Sequence, residues 1–315
     1  MPLPSLRTPL LDLPDHVVND SGERSCLRLI EPAHCDVDAV FAQIEGGSYG
    51  KPFIIEDART RRLYFSLDLV QSAMRLDDPF ALEFAYTRKM MAFLLFVPEP
   101  GDVLMVGLGG GSLAKFCHRY LPRTRLTVVE LNPDVIALRG EFGVPEDARL
   151  AIVEADAAEY LAASEGDADV LLLDGFDADG IAPAFLRRGF YRAARRRLRP
   201  GGVAVANFAG PRNFWSKHLA LLSDAFDGQV HAATVPGGDN HLAFAFADAD
   251  AGTALDWARL EERARQLAGR FPLDFAAILG SLREGAELNW AKPATHFPTI
   301  PANQGVHPCR RSTRT

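Results

Sequence analysis

The stretch Asp102-Val-Leu-Met-Val-Gly-Leu-Gly-Gly-Gly-Ser112 decides how the rest of the chain is read. Four apolar residues, Val103 to Val106, run directly into Gly107, Gly109, Gly110 and Gly111, and an amphipathic segment begins at Ser112. A short apolar run bounded by glycines reads as a buried strand, and the segment after the glycines reads as a helix start. Glycines at such a junction let the backbone turn sharply and lie against a ligand with no Cβ between them, while the free N–H groups of the first helical turn face it. In a strand–turn–helix setting the pattern points to a nucleotide-type cofactor.

Downstream, apolar runs and helical periods alternate. Strands are expected at Val103–Val106, Leu126–Val129, Leu150–Val153, Val170–Leu173 and Val203–Phe208, with helices near Leu113–Tyr120, Pro133–Phe142, Ala157–Ala163, Ala184–Leu198 and Arg212–Phe226. Alternation of this kind predicts an α/β fold, a parallel sheet covered on both faces. Asn132 followed by Pro133 is a well-formed helix cap. Gln229–Thr234 and Leu242–Ala247 read as a closing strand pair, and Thr253 to Arg270 as an amphipathic helix capped by Thr253. After about Ala291 the tail is irregular in pattern.

Upstream, Cys26–Ile30, Phe53–Ile55 and the period-two run Arg62–Leu67 predict a small antiparallel β module, followed by a helix from Ala81 to Phe96 that Pro98 and Pro100 end. Residues 1 to about 25 read as a poorly ordered lead-in. The expected organisation is therefore a lead-in (1–25), a β module (26–78), a Rossmann-like cofactor-binding domain (79–290) and a tail (291–315).

The chain has 315 residues, 48% hydrophobic and 24% charged, in the range of ordinary globular proteins. No apolar run approaches the roughly 20 residues of a membrane span, and the N-terminus lacks a signal-peptide pattern; no membrane partner and a cytoplasmic location are the expectations. Four scattered cysteines (Cys26, Cys35, Cys117, Cys309) form no CxxC pair and read as reduced thiols. A net charge of −7 disfavours non-specific nucleic-acid binding. The arginine-rich run Arg187–Arg199 reads as a solvated helix face.

Glycines and acids fall at the carboxyl ends of successive strands, where an open α/β sheet binds its ligand. After the first strand comes the glycine turn, and after the second Glu130, about twenty positions on, where a carboxylate grips ribose hydroxyls. Asp156 follows the third strand and Asp174 the fourth, with Asp177 in the same loop. Gly107, Gly109 and Gly111 give G-x-G-x-G, with Ser112 in the place of the third glycine of the dinucleotide motif, which leans towards an S-adenosyl cofactor. Asp174 and Asp177 have no histidine beside them, so a transition-metal site is not expected; a general base or an ammonium site is.

These motifs, Val103-Leu-Met-Val-Gly-Leu-Gly-Gly-Gly111, Val128-Val-Glu-Leu-Asn132, Glu154-Ala-Asp156 and Leu173-Asp-Gly-Phe-Asp177, resemble those of the spermidine synthases and the wider polyamine aminopropyltransferases. Leu67-Asp-Leu-Val-Gln71 resembles that family's strand ending in Asp-Gly-x-x-Gln, and Phe84-Ala-Tyr86 its helix start, so the likeness spans roughly residues 50 to 250. The resemblance implies a Rossmann-like S-adenosylmethionine-dependent methyltransferase-type fold, and transfer of an aminopropyl group from decarboxylated S-adenosylmethionine to a small amine. It implies that Glu130 holds the ribose, Asp156 meets the adenine and Gln71 lies beside the donor. Asp174 would take or orient the amine proton, Asp177 would bind the cationic acceptor, and Tyr86 would line the same site. Homodimers or homotetramers are implied as well.

The chain departs from the family pattern at four places. Gly110 stands where the family has an aspartate that holds the aminopropyl ammonium. Thr87-Arg88 replaces His-Glu, Ala178 replaces a proline, and Thr234-Val-Pro-Gly-Gly-Asp-Asn240 replaces a tyrosine-bearing segment of the amine channel. These departures keep open a second reading, methyl transfer from ordinary S-adenosylmethionine with Arg88 paired to its carboxylate, and a third, a non-catalytic relative. Against the third stand Glu130, Asp174 and Asp177, which a dead site has no physical need to keep together.

Overall fold

The apolar runs that bracket the glycine turn all become strands of one seven-stranded sheet, and the order of those strands fixes where the site falls. The structure is a computed structural model that describes residues 10–18, 23–177, 180–181, 183–186, 189–209, 212–235, 237, 240–249, 251 and 255–287. The strands and helices in chain order are β1 (Leu11–Val18), β2 (Arg24–Leu29), α1 (Val37–Glu45), β3 (Phe53–Glu56), β4 (Thr60–Ser66), β5 (Leu69–Arg75), α2 (Ala85–Met90), α3 (Phe93–Phe96), β6 (Asp102–Val106), α4 (Ser112–Tyr120), β7 (Arg125–Glu130), α5 (Pro133–Ala137) and β8 (Leu150–Glu154). Then come α6 (Ala157–Ala162), β9 (Ala168–Leu173), β10 (Phe176–Asp177), β11 (Gly180–Ile181), α7 (Phe190–Arg197), β12 (Leu198–Ala209), α8 (Arg212–Ala225), β13 (Val230–Ala233), β14 (Asn240–Phe246), α9 (Trp257–Ala268) and α10 (Phe275–Glu287).

The large sheet runs β13-β14-β12-β9-β6-β7-β8, parallel except that β14 is antiparallel to both its neighbours. β6 sits between β7 and β9, so the strand order reverses at the end of β6, where a doubly wound sheet opens its crevice. Strand alternation divides the apolar residues between two cores. Val103, Met105, Leu126, Val128, Val170 and Leu172 face one side with α4, α9 and α10, whereas Leu104, Val106, Val129, Leu171 and Leu173 face the other with α7 and α8. Each fully buried leucine, valine or phenylalanine here contributes roughly 1.5–3 kcal/mol of transfer free energy.

The N-terminal residues form a five-stranded antiparallel sheet in the order β1 to β5, with α1 against a separate small core. Ile54, Leu63 and Met74 of this sheet pack with Met90, Leu113 and Phe142 of the large domain, so its last strands share the main core and hold β5 beside the glycine turn.

Several expectations are corrected. Residues 11–18, expected in a disordered lead-in, form β1; Pro14 and Asp15, whose φ is 60°, interrupt its alternation where the register with β2 shifts. The segment Leu67–Gln71 is a turn followed by β5, so Gln71 lies within a strand. The single helix expected over Ala81–Phe96 is two short ones. Met90 to Leu95 are all 2% exposed or less, and a stretch buried all round has no amphipathic period to hold one helix. The helix expected over Ala184–Leu198 breaks at Gly189, where φ is 95°, into a 3-10 turn over Pro183–Leu186 and α7, with Phe185 and Phe190 stacked at 4.5 Å across the break. The helix expected over Pro133–Phe142 ends at Ala137 and tightens into a 3-10 turn. Asp256 caps α9, its carboxylate accepting from the Arg259 amide at 3.0 Å; Thr253 and the tail after Ala291 lie outside the described residues. Among the described arginines of the run, Arg192 pairs with Asp224, Arg195 with Asp227, Arg196 with Glu165 and Arg199 with Asp102 and Asp169 at the surface, whereas Arg197 is 3% exposed and lies over the Tyr160 ring.

Candidate active site

A pocket opens at the carboxyl ends of β6, β7 and β9, closed over by β5 and the start of α2. Of the residues singled out from sequence, Gln71, Tyr86, Gly107, Gly109, Glu130 and Asp174 all line it. Strand ends supply the acids because each parallel strand finishes at the same edge of the sheet.

The glycine turn earns its glycines locally. Gly107 has φ 95°, and a Cβ there would collide with the carbonyl oxygen of Asp174; only glycine lets β6 and the Asp174 loop approach this closely. Gly109 borders the pocket. Gly110 and Gly111 are not among its described lining residues. A Cβ on Gly110 would stand 2.7 Å from Ser72 Oγ and 2.9 Å from Phe142 Cδ1, and Gly111 is the left-handed cap of α4 packed against Val144.

Glu130 closes the turn. One carboxylate oxygen accepts from the Leu108 amide and the other from the Asn132 amide, both at 2.8 Å. The acid at the end of β7 is thereby fixed across the turn, with its remaining surface towards the pocket.

Asp174 forms the opposite wall. Its Oδ1 accepts from Asn207 Nδ2 at 2.8 Å and its Oδ2 from the Tyr86 hydroxyl at 3.3 Å. Burial raises its pKa to about 6, against the lowering effect of the hydrogen bonds from Asn207 and then Tyr86. Burial, and then the Asp174 charge, push the Tyr86 phenol well above its usual value, so it stays a donor. Neither lysine nor arginine occurs among the described lining residues. Arg88 is tied elsewhere, donating to the carbonyls of Leu82 and Glu83 at 2.6 and 2.7 Å, while Thr87 Oγ1 donates to Phe84 O at 2.7 Å.

Asp156 and Asp177 are not among the described lining residues. Asp156 is the cap of α6, its Oδ1 accepting from the amides of Ala158 and Glu159 at 2.8 and 3.2 Å. Asp177 lies on β10, whose backbone pairs with Gly180 of β11; its side chain lies outside the described residues, as does Ala178. Sequence reasoning missed Asn207 and Ser72. A single amide ending the apolar run Val203-Ala-Val-Ala-Asn207 was the available signal for the first; the second had none.

A parallel sheet that ends with an antiparallel strand inserted beside β12, carrying a glycine turn and a following strand-end acid at its switch point, defines a Rossmann-like fold of the S-adenosylmethionine-dependent methyltransferase type. The solved structures agree. Human methyltransferase-like protein 13, in complex with SAH, superposes with a TM-score of 0.51 at 22% identity, covering 69% of this chain and 97% of that one. Spermidine synthase from Thermotoga maritima gives 0.57 at 18% identity over 89% of this chain and 95% of that one. Residues 83–224 match the spermine/spermidine synthase domain. The polyamine aminopropyltransferase of Chromobacterium violaceum is 36% identical over 233 residues, 73% of this chain and 88% of the relative. The chain belongs to the polyamine aminopropyltransferase family.

Proposed function

We propose that the protein transfers an aminopropyl group from decarboxylated S-adenosylmethionine to a small amine. The observation that carries this reading is Asp174: an acid poised near neutrality, held only by neutral donors, in the same pocket as Glu130 and the glycine turn. The pocket's residues fit such a donor. A cradle that a side chain would fill at Gly107, a fixed acid at Glu130 for ribose hydroxyls, and a cation-free wall suit a nucleoside bearing positive charge.

The donor supplies a sulfonium leaving group, so acid catalysis of departure is unnecessary and alignment dominates. The acceptor nitrogen's lone pair forms the new C–N bond as the C–S bond breaks, its electron pair passing to sulfur. Methylthioadenosine leaves. An amine is a nucleophile only when unprotonated, and Asp174 with a pKa of about 6 binds the ammonium ion as carboxylate and takes its surplus proton. Tyr86 orients the carboxylate. Under this reading Gln71 lies beside the donor, Asp156 approaches its adenine edge, and Asp177 receives the far ammonium of the acceptor. The β module, which β1 extends back to Leu11, covers the pocket of the catalytic domain (79–290). We further propose a cytoplasmic protein that assembles as a homodimer or homotetramer, as the family resemblance supports; among the described residues no helix is long and apolar enough to cross a membrane, and no group of acids, histidines and cysteines could hold a metal.

The test is calorimetric titration with decarboxylated and ordinary S-adenosylmethionine, then incubation with a panel of amines. Preference for the decarboxylated form and release of methylthioadenosine are expected. Preference for the ordinary form, with S-adenosylhomocysteine as product, would replace this reading by methyl transfer.

A further inference from the structure

Asn207 is 1% exposed, two residues before the end of β12 and directly after its apolar run Val203–Ala206. A primary amide in such a place is costly unless both its ends are bonded, and here both are. Its Nδ2 donates to Asp174 Oδ1 at 2.8 Å, and its Oδ1 accepts from Asn240 Nδ2 at 3.1 Å. The chain of bonds crosses three adjacent strands. Register sets it up: Ala206 of β12 pairs with Leu173 of β9, and Ala209 of β12 pairs with Asn240 of β14.

The direction of this relay is dictated by charge. A carboxylate only accepts, so the amide must present its NH2 to Asp174; its carbonyl then faces β14 and needs a donor, which Asn240 provides. A flipped amide would set carbonyl against carboxylate at one end and NH2 against NH2 at the other. Asn240 therefore holds Asn207 in the one orientation that supports an ionised Asp174.

We propose that Asn207, oriented by Asn240, is a positioning residue for Asp174, occupying Oδ1 and leaving Oδ2, on the Tyr86 side, as the oxygen that takes the acceptor amine's proton. The proposal rests on the aminopropyl-transfer reading of the pocket. The proton passes from the ammonium nitrogen to Oδ2, and no other bond changes in this step. By donating to the carboxylate, Asn207 also offsets part of the burial that raises the acid's pKa.

The experiment compares wild type, Asn207→Leu and Asn240→Ala in kcat/KM for the amine as a function of pH at saturating decarboxylated S-adenosylmethionine, with donor affinity measured separately. A hydrogen bond to a charged group is worth about 1.5–3 kcal/mol, or roughly one to two pH units. The acidic limb of Asn207→Leu is expected to move up by about one unit or more, with kcat down about tenfold and donor affinity unchanged. Asn240→Ala should move the limb the same way by less. Asn207→Leu added to Asp174→Asn should lower activity no further, since the amide acts through the acid. Limbs that superimpose on the wild type's, or an equal loss of donor affinity, would overturn the proposal. If Asn207→Leu fails to fold, Asn240→Ala decides alone, because Asn240 is only partly buried. If wild type transfers an aminopropyl group to no amine, the functional reading falls. The pH-dependent melting difference between wild type and Asp174→Asn, measured with and without Asn207→Leu, then still reads whether Asn207 governs the acid.

Discussion

Replacing Asp174 by asparagine removes a charge while keeping the shape of the site, because the new side-chain oxygen can accept from Asn207 and the new amide can donate to the Tyr86 oxygen. The folded protein raises the Asp174 pKa from 3.8 to about 6. A carboxyl group whose pKa is raised by folding binds its proton more tightly in the native state, so its contribution is fully present below about pH 3.8 and is lost as pH rises through about 6. A rise of roughly two pH units corresponds to about 3 kcal/mol. Wild type should therefore lose up to that much stability relative to Asp174→Asn between about pH 4 and pH 7, a difference in melting temperature of roughly 4–5 °C for a chain of this length. The assay is thermal denaturation of both proteins across that range in one buffer series, read as the difference between them so that other titrations cancel. Over the same range aminopropyl transfer by wild type should rise through about pH 6, and the variant should be slower by about 100-fold or more. Parallel melting curves at every pH would refute the argument, since they would mean that the acid is solvated rather than buried.

Neighbouring contacts set further outcomes. Glu130→Gln must turn an NH2 towards either the Leu108 or the Asn132 amide, so donor affinity should fall about tenfold or more by calorimetry, with a stability loss of about 1–3 kcal/mol. Gly110→Ala should destabilise by about 1–3 kcal/mol through its collision with Ser72 and Phe142, and Ser72→Gly should restore part of that loss in a double-mutant cycle by urea denaturation. Lys115 is 1% exposed and donates to Phe142 O at 2.8 Å; burial, and then the Arg61 charge, depress its pKa to about 8. A lysine depressed by folding adds stability above its unfolded pKa that is lost as pH falls through about 8, so wild type should gain on Lys115→Met between about pH 8 and pH 10 in paired melting curves. Asn132→Ala should lose about 1 kcal/mol of stability with the cap of α5, measured by the same denaturation.

Most of the pocket was legible because a parallel sheet writes its ligand edge into the chain. Each buried strand is an apolar run, and the first residue past it is the one that faces the crevice; Glu130 and Asp174 sit there, and the glycine turn fills the corresponding place after β6. Gln71 and Tyr86 were reached by resemblance alone, since nothing in their spacing says that β5 and α2 fold over the turn. What stayed hidden depends on tertiary packing. The bulge at Pro14 and Asp15 masks β1, and an all-round apolar segment hides the break between α2 and α3. Gly110 and Ser72 form a pair only because β5 lies across the turn, a contact 38 residues apart in the chain.

The two acids of the pocket are held in opposite ways, and that contrast matches the separate roles proposed for them. Glu130 is gripped by two backbone N–H groups, which belong to the turn and cannot be withdrawn without unfolding it, so its oxygens are fixed hydrogen-bond partners. Asp174 is gripped by one side-chain amide and one phenol, both neutral, with no cation among the described lining residues. An arginine or lysine in place of either would pull the acid well below the usual carboxylate range and leave it too weak a base to accept a proton from an ammonium ion. Burial without a cation does the reverse, and the positive charges near the carboxylate are then those of the bound donor and the ammonium acceptor. On the proposed mechanism the site has its strongest attraction for the amine before transfer, while that amine is still a cation, and the attraction weakens as the proton moves to Oδ2. That release of the proton is the step that makes the nitrogen nucleophilic.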